Sequence, residues 1–221
     1  DMLVGTNVRT SGAQTVPRSE SYIQINYFNT SQILVASNNI GGSGQQGVYR
    51  STDGGSTWAQ TTLPFAPGDS THSDPTVDFT SDGRSWSSTL GIAGSTLRLR
   101  NYYSTDGGAT WTFEATPSGS QTNVDKQIVW VDKSATSPFF GQTYAIWHNG
   151  SPAFVNRRTA GAGGTWLAAP IQVSGTESTG TAIGGDIRSN SVGEVFGFWP
   201  TTTNRRIIMI KSTDCGNTWA P

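Results

Sequence analysis

An eight-residue phrase, written three times over, limits what this chain can fold into more than any other feature. Ser51-Thr52-Asp53-Gly54-Gly55-Ser56-Thr57-Trp58 and Ser104-Thr105-Asp106-Gly107-Gly108-Ala109-Thr110-Trp111 match almost letter for letter. Ser212-Thr213-Asp214-Cys215-Gly216-Asn217-Thr218-Trp219 is a third copy, with Cys215 in place of a glycine. An eroded fourth, residues 159–166, keeps Gly163-Gly164-Thr165-Trp166 and has Gly161 where the Asp belongs. The Asp position therefore falls at 53, 106, 161 and 214, with spacings of 53, 55 and 53 residues. Self-similarity at such a period is the mark of a repeat architecture.

The residue types explain a local structure. An Asp carboxylate accepts bonds from the backbone N–H groups of a tight turn, Gly supplies positive φ, and Trp covers the hairpin that results. Each copy reads as a turn between two strands. With this pattern the chain resembles the Asp-box, or bacterial neuraminidase repeat, family, whose phrase is Ser-x-Asp-x-Gly-x-x-Trp. The resemblance implies an all-β fold, a β-propeller of four-stranded antiparallel blades. In it each box joins the third and fourth strands on the face away from any active site. Asp53, Asp106, Asp214, Trp58, Trp111 and Trp219 are then structural residues.

The 221 residues divide into about four such units in a single domain, at about 20–70, 71–122, 123–178 and 179–221. Strands are expected at 22–28, 32–38, 47–51 and 58–65 in the first unit, and at 75–79, 86–92, 97–103 and 111–115 in the second. The third holds 127–131, 143–147, 153–157 and 166–173, and the fourth 186–189, 194–199 and 206–211. The last unit stops at its box while residues 1–10 read as a strand without a blade. Two arrangements follow: the N-terminal strand, with Leu3, Val4 and Val8, closes the ring beside 206–211, or the chain is part of a larger propeller. Strand exchange between copies makes the same pairing, so the oligomeric expectation is a monomer or a strand-exchanged dimer.

Net charge is −1, from 14 Lys+Arg against 15 Asp+Glu, which leaves no electrostatic footprint for nucleic acid or an anionic membrane surface. No apolar run approaches the roughly 20 residues of a spanning helix. Cys215 is alone, and His72 and His148 are the only histidines, so neither metal nor cofactor is expected. Few lysines, abundant Ser, Thr, Asn and Gly, and the family resemblance favour an extracellular, secreted protein.

In propellers of this family the innermost strand begins at the functional face. Its entries here carry Glu20, Asp74, Asp125 and Asp186, with His72 and Lys126 beside two of them. Loops between second and third strands carry Trp147, His148, Trp199 and Arg205. These compose a glycan or polysaccharide site in which Trp147 and Trp199 stack on sugar faces and Glu20, Asp74 and Asp125 are the candidate catalytic carboxylates. Ligand contacts fall to His148, Arg205, His72, Asp186 and Lys126. The same residues have a plainer reading as turn caps and packing. A true sialidase is disfavoured, because Val8-Arg9-Thr10 stands where that family's Arg-Ile-Pro would be sought. A glycoside hydrolase, a non-catalytic lectin-like propeller and a protein-binding scaffold remain the three readings.

Overall fold

A computed structural model describes residues 7–13, 15–39, 42–176, 182–203 and 205–220. Among these described residues, fifteen strands form four antiparallel sheets. Blade I is β1 (Arg18–Ile25), β2 (Ile33–Asn39), β3 (Gly47–Ser51) and β4 (Ala59–Thr62). Blade II is β5 (Thr71–Phe79), β6 (Ser85–Ala93), β7 (Thr96–Ser104) and β8 (Thr112–Ala115). Blade III is β9 (Val124–Val131), β10 (Thr143–Asn149), β11 (Ala153–Arg158) and β12 (Ile171–Gln172). Blade IV is β13 (Asp186–Ser189), β14 (Val195–Thr201) and β15 (Arg206–Ser212). Within each sheet the strands lie in chain order, and β1, β5, β9 and β13 stand next to one another around an axis. This is a β-propeller.

Alternation of side chains puts an apolar set on each blade face, and successive faces close on one another. Leu34, Ala36 and Val48 of blade I meet Val77, Phe79 and Tyr102 of blade II. Leu90 and Leu99 of blade II meet Val129, Ala145 and Trp147 of blade III. Tyr144, Ile146 and Val155 of blade III meet Ile187, Trp199 and Ile210 of blade IV. Charges cross the same seams: Lys133 Nζ lies 2.7 Å from Asp78 Oδ2, and Arg158 Nε lies 2.8 Å from Glu114 Oε1.

The three repeated turns share one bonding pattern. Ser51, Ser104 and Ser212 each donate to the Asp two residues on, at 2.7–2.8 Å, and accept from the glycine N–H four residues on, at 2.8 Å. That Asp accepts from the Thr four residues on through both its amide, at 2.9 Å, and its hydroxyl, at 2.6–2.7 Å. Gly54, Gly107 and Cys215 occupy the same positive φ, 67–70°. In the eroded turn the Arg158 guanidinium donates to Thr159 O and Gly161 O at 3.0 Å, so a side chain of the preceding strand ties down the backbone that lacks an Asp.

Burial opposes ionisation of Asp106, but the Thr110 and Ser104 bonds outweigh it and hold its pKa at about 2. A carboxylate held below its ordinary value stabilises the fold above that ordinary value, and the contribution is lost as pH falls toward 2. Asp106→Ala should cost about 1 kcal/mol, the scale of a capping side chain on exposed donors. Urea titration at pH 7 checks this, and the difference between wild type and variant should shrink below pH 3.

Several expectations shift. The fourth strand of blade III is Ile171–Gln172 rather than 166–173, since Pro170 has no N–H to give the ladder. Residues 1–6, with Leu3 and Val4, lie outside the described residues; Val8 is exposed and belongs to no strand. Beside Lys211 of β15 stands Ala220, paired through both backbone bonds at 2.7 and 2.9 Å.

Candidate functional site

The first three innermost strands begin earlier than expected, at Arg18, Thr71 and Val124, while β13 begins at Asp186 as expected, and each of those three carries a bulge near its start. The ladder slips between Ser19 and Tyr22, between Ser73 and Thr76, and opposite Ile146 to His148. At the bulges stand Glu20, Asp74 and Lys126, all with φ 51°, where a side-chain-bearing residue is uncommon and costs energy. On the blade IV side Gly184 takes φ 66°. The bulges turn three charged side chains toward the axis instead of leaving them on blade faces.

There they meet. Lys126 Nζ lies 3.0 Å from Asp74 Oδ2 and 3.2 Å from both carboxylate oxygens of Glu20. Glu20 and Asp74 are also hydrogen-bonded to each other. The Asp74 carboxyl first, and burial second, raise the pKa of Glu20 against the pull of Lys126. Burial pushes Asp74 up, but the bonds from Glu20, Ser73 and Lys126 win and hold it below the usual range. Burial opposes charge on Lys126, and its bonds to Asp74 and Glu20 overcome that and raise its pKa. The cluster is thus two carboxyl groups whose pKa values are pushed apart, gathered around one ammonium.

The Asp74 backbone is held from two sides. Its N–H donates to Asn38 Oδ1 at 2.7 Å, its carbonyl accepts from Gln127 Nε2, and its Oδ1 accepts from Ser73 Oγ at 2.6 Å. The three charged residues line an axial pocket of about 420 Å³ with Tyr22, Pro75, Thr76, Gln127, Ile128, Gly184 and Gly185. Gln127 Oε1 is buried without a partner. Among the described residues, no arginine lines this pocket.

Of the other expected site residues, Asp125 and His148 form a neighbouring pair. They face each other across β9 and β10, with His148 Nε2 3.9 Å from Asp125 Oδ2 and Nδ1 donating to Gly150 O at 2.8 Å. Asp186 is ion-paired with Arg188 and caps the Ile187 amide. Arg205 sits at φ 53° in the turn leading to β15.

Trp147 and Trp199 are corrected outright. They are 0% and 1% exposed, packed in the seams on either side of blade III, so neither offers a face to a sugar. Trp147 Nε1 donates to Gln121 at 2.7 Å and its ring stacks on Phe154. Truncating either removes core, not a platform.

His72 is corrected too. It is 5% exposed, accepts from the Gln46 amide at Nδ1 and lies 3.4 Å from the Tyr102 hydroxyl. Burial lowers its pKa from 6.5 to about 4. Between those values only the unfolded chain binds the proton, so His72 makes the fold lose stability as pH falls from 6.5 toward 4. Melting curves for wild type and His72→Gln across that window should show a shallower pH dependence in the variant.

Sequence reasoning missed Tyr22, Gln127 and the two glycines of blade IV. It also placed Asp125 in phase with Glu20 and Asp74, whereas the bulge position of blade III is Lys126. Spacing contained the signal, 54 residues from Glu20 to Asp74 and 52 to Lys126.

No family model and no curated protein sequence matches the chain. Solved structures do. An α-L-arabinanase from Penicillium chrysogenum, complexed with arabinobiose, is similar with a TM-score of 0.63 at 16% identity, over 92% of this chain and 66% of that one. The NanB sialidase from Streptococcus pneumoniae gives 0.66 at 11% identity, over 97% and 53%. A Hadza microbial sialidase, Hz136, gives 0.61 at 15%, over 95% and 46%. The chain thus spans between about half and two thirds of these structures. They share its propeller fold.

Proposed function

We propose that this chain is a secreted Asp-box propeller that binds a neutral glycan in the axial pocket and acts on it as a glycoside hydrolase. The observation that carries the reading is the convergence of Glu20, Asp74 and Lys126 on three strained bulges. Strain of this kind persists at sites where geometry is needed for function, and perturbed carboxyl groups in a cleft mark the same places. Fold likeness to an arabinanase and to sialidases is in keeping with it, as an analogy.

The roles follow from charge state. Glu20, whose pKa the neighbouring Asp74 raises, is assigned as the proton donor to a leaving oxygen. Asp74 stays ionised, and its charge favours an oxocarbenium-like transition state. Lys126 holds both in place. Two carboxyl groups that share a hydrogen bond are nearer than the roughly 5 Å or more that separates the two groups flanking a scissile bond. Asp125, the third candidate carboxylate, stands apart beside His148 and does not line the pocket. The lining sets two carboxyl groups against one ammonium that both already engage, which favours a neutral sugar over an acidic one.

The closeness of Glu20 and Asp74 also supports a second reading, recognition without turnover. A panel of chromogenic arabinosides, xylosides, galactosides and sialosides, run beside a glycan array, separates the two. Turnover of a neutral glycoside supports hydrolysis, binding alone supports the lectin-like reading, and neither would remove the glycan assignment.

A further inference from the structure

We propose that the hollow at the head of the seam between blade I and blade II is a second sugar subsite, so that the ligand is an oligosaccharide running from the axial pocket out over this seam. The inference rests on the axial pocket being the glycan site. The hollow has a volume of about 410 Å³ and is lined by Asn38, Asn39, Thr71, His72, Ser73 and Ile92. A chain of bonds joins it to the axial pocket. Asn38 Nδ2 donates to Ser73 Oγ at 3.4 Å, and Ser73 Oγ donates to Asp74 Oδ1 at 2.6 Å. Asn38 Oδ1 also accepts from the Asp74 amide, so the wall of this hollow is the support of an axial carboxylate.

The repeat shows that the fold itself does not ask for polar groups here. His72, Val124 and Ala182 each stand two residues before the positive-φ position at 74, 126 and 184. Asn38, Leu90 and His148 are equivalent on the second strands, each paired with the residue just before the positive-φ position at 20, 74 and 126. The seam between blades II and III is closed at this point by Leu90 and Val124, 2% and 0% exposed and packed in one apolar cluster. The next seam has His148 and Ala182. In the seam between blades I and II both residues are polar, Asn38 and His72, and a hollow stands beside them. Polar groups placed where hydrocarbon would fit cost stability, which selection tolerates where they bind something.

The lining sets the class of ligand. Among the described residues no charged side chain lines the hollow, and His72, its pKa lowered by burial to about 4, is uncharged at neutral pH. Asn39 Oδ1 is buried and accepts no hydrogen bond, while Asn39 Nδ2 is already spent on Ser43 Oγ at 3.1 Å. An amide oxygen left in that state calls for an O–H or N–H donor. Ile92 adds an apolar patch for the C–H face of a ring. A neutral ligand rich in hydroxyls meets all of these requirements, and a sugar is such a ligand.

Titration calorimetry of the 221-residue chain with arabino-, xylo- and galacto-oligosaccharides of one to five units tests this. In the series that binds, Kd should fall about ten-fold or more between one unit and three, the scale of one or two added hydrogen bonds. Asn39→Leu, which keeps the bulk and removes the acceptor, should bring the ratio of those two constants close to one, and Asn39→Ala should lower it as well. A wild-type ratio near one overturns the subsite and leaves the axial site standing. A ratio that neither variant lowers also overturns it, since the longer ligand then lies elsewhere. If no series binds, the axial reading fails and the subsite fails with it.

Discussion

Asp74→Gly should leave stability within about 1 kcal/mol of wild type and make the axial pocket inert. Glycine adopts φ 51° without the Cβ clash that any other residue meets there, which releases about 1 kcal/mol of strain. Against that stands the loss of the ion pair with Lys126, whose Asp74 side is 11% exposed, and of the Ser73 bond, together about 1 kcal/mol. Function has no such compensation. Without the Asp74 carboxylate, Glu20 loses the neighbour that raises its pKa, and Lys126 loses its shorter contact. Affinity or kcat/KM toward the best neutral glycoside should drop by about 100-fold or more, the scale of removing a catalytic acid–base partner. Undiminished binding and turnover in Asp74→Gly would sink the axial-site assignment.

The pH dependence has a definite sign. Activity needs Glu20 protonated, and its raised pKa moves the alkaline limb upward, so rate falls as pH climbs through the Glu20 value. It needs Asp74 ionised, and the lowered Asp74 pKa moves the acidic limb downward. Lys126→Met removes the bonds that oppose the rise of Glu20 and support the ionisation of Asp74. Both limbs of the profile should then move to higher pH, a change that simple loss of stability would not produce.

Lys133→Met should be among the most damaging single changes to the fold. Lys133 is buried between Trp130, 3.9 Å from its ring centre, and Asp78, 2.7 Å away, and burial lowers its pKa while raising that of Asp78. Removing one member of such a pair strands the other in low dielectric, at about 3–5 kcal/mol. The Val131 and Phe79 amides, at 2.9 and 2.8 Å, still solvate Asp78 in part. Asp78→Asn combined with Lys133→Met keeps an acceptor for one of those two amides and carries no charge. Urea unfolding should return part of the lost stability in the double variant. A single variant as stable as wild type would mean that Asp78 is already neutral in the native protein.

The turn phrase made the blade count and the strand order readable, because its information is local. Ser51, Asp53, Gly54 and Thr57 bond within a few residues of one another, so spacing alone carries their geometry. Alternation likewise marked the paired strands of blade II. The bulges were harder to see. Glu20, Asp74 and Lys126 share no side-chain type, and only their common φ and near-constant spacing identify them as one position.

What the sequence determined by itself was the repeat, the turn chemistry and the all-β class, since each depends on residues close together in the chain. Only the tertiary structure decided the rest. Trp147, read from its loop-side place as a sugar platform, lies in a seam because blade II closes over it. His72 is neutral because Gln46 and Tyr102, from other strands, enclose it. Lys126 joins Glu20 across 106 residues of chain because three bulged strands converge on one axis. Burial and charge state are set by what packs from outside a segment, and no spacing within the segment encodes that neighbour.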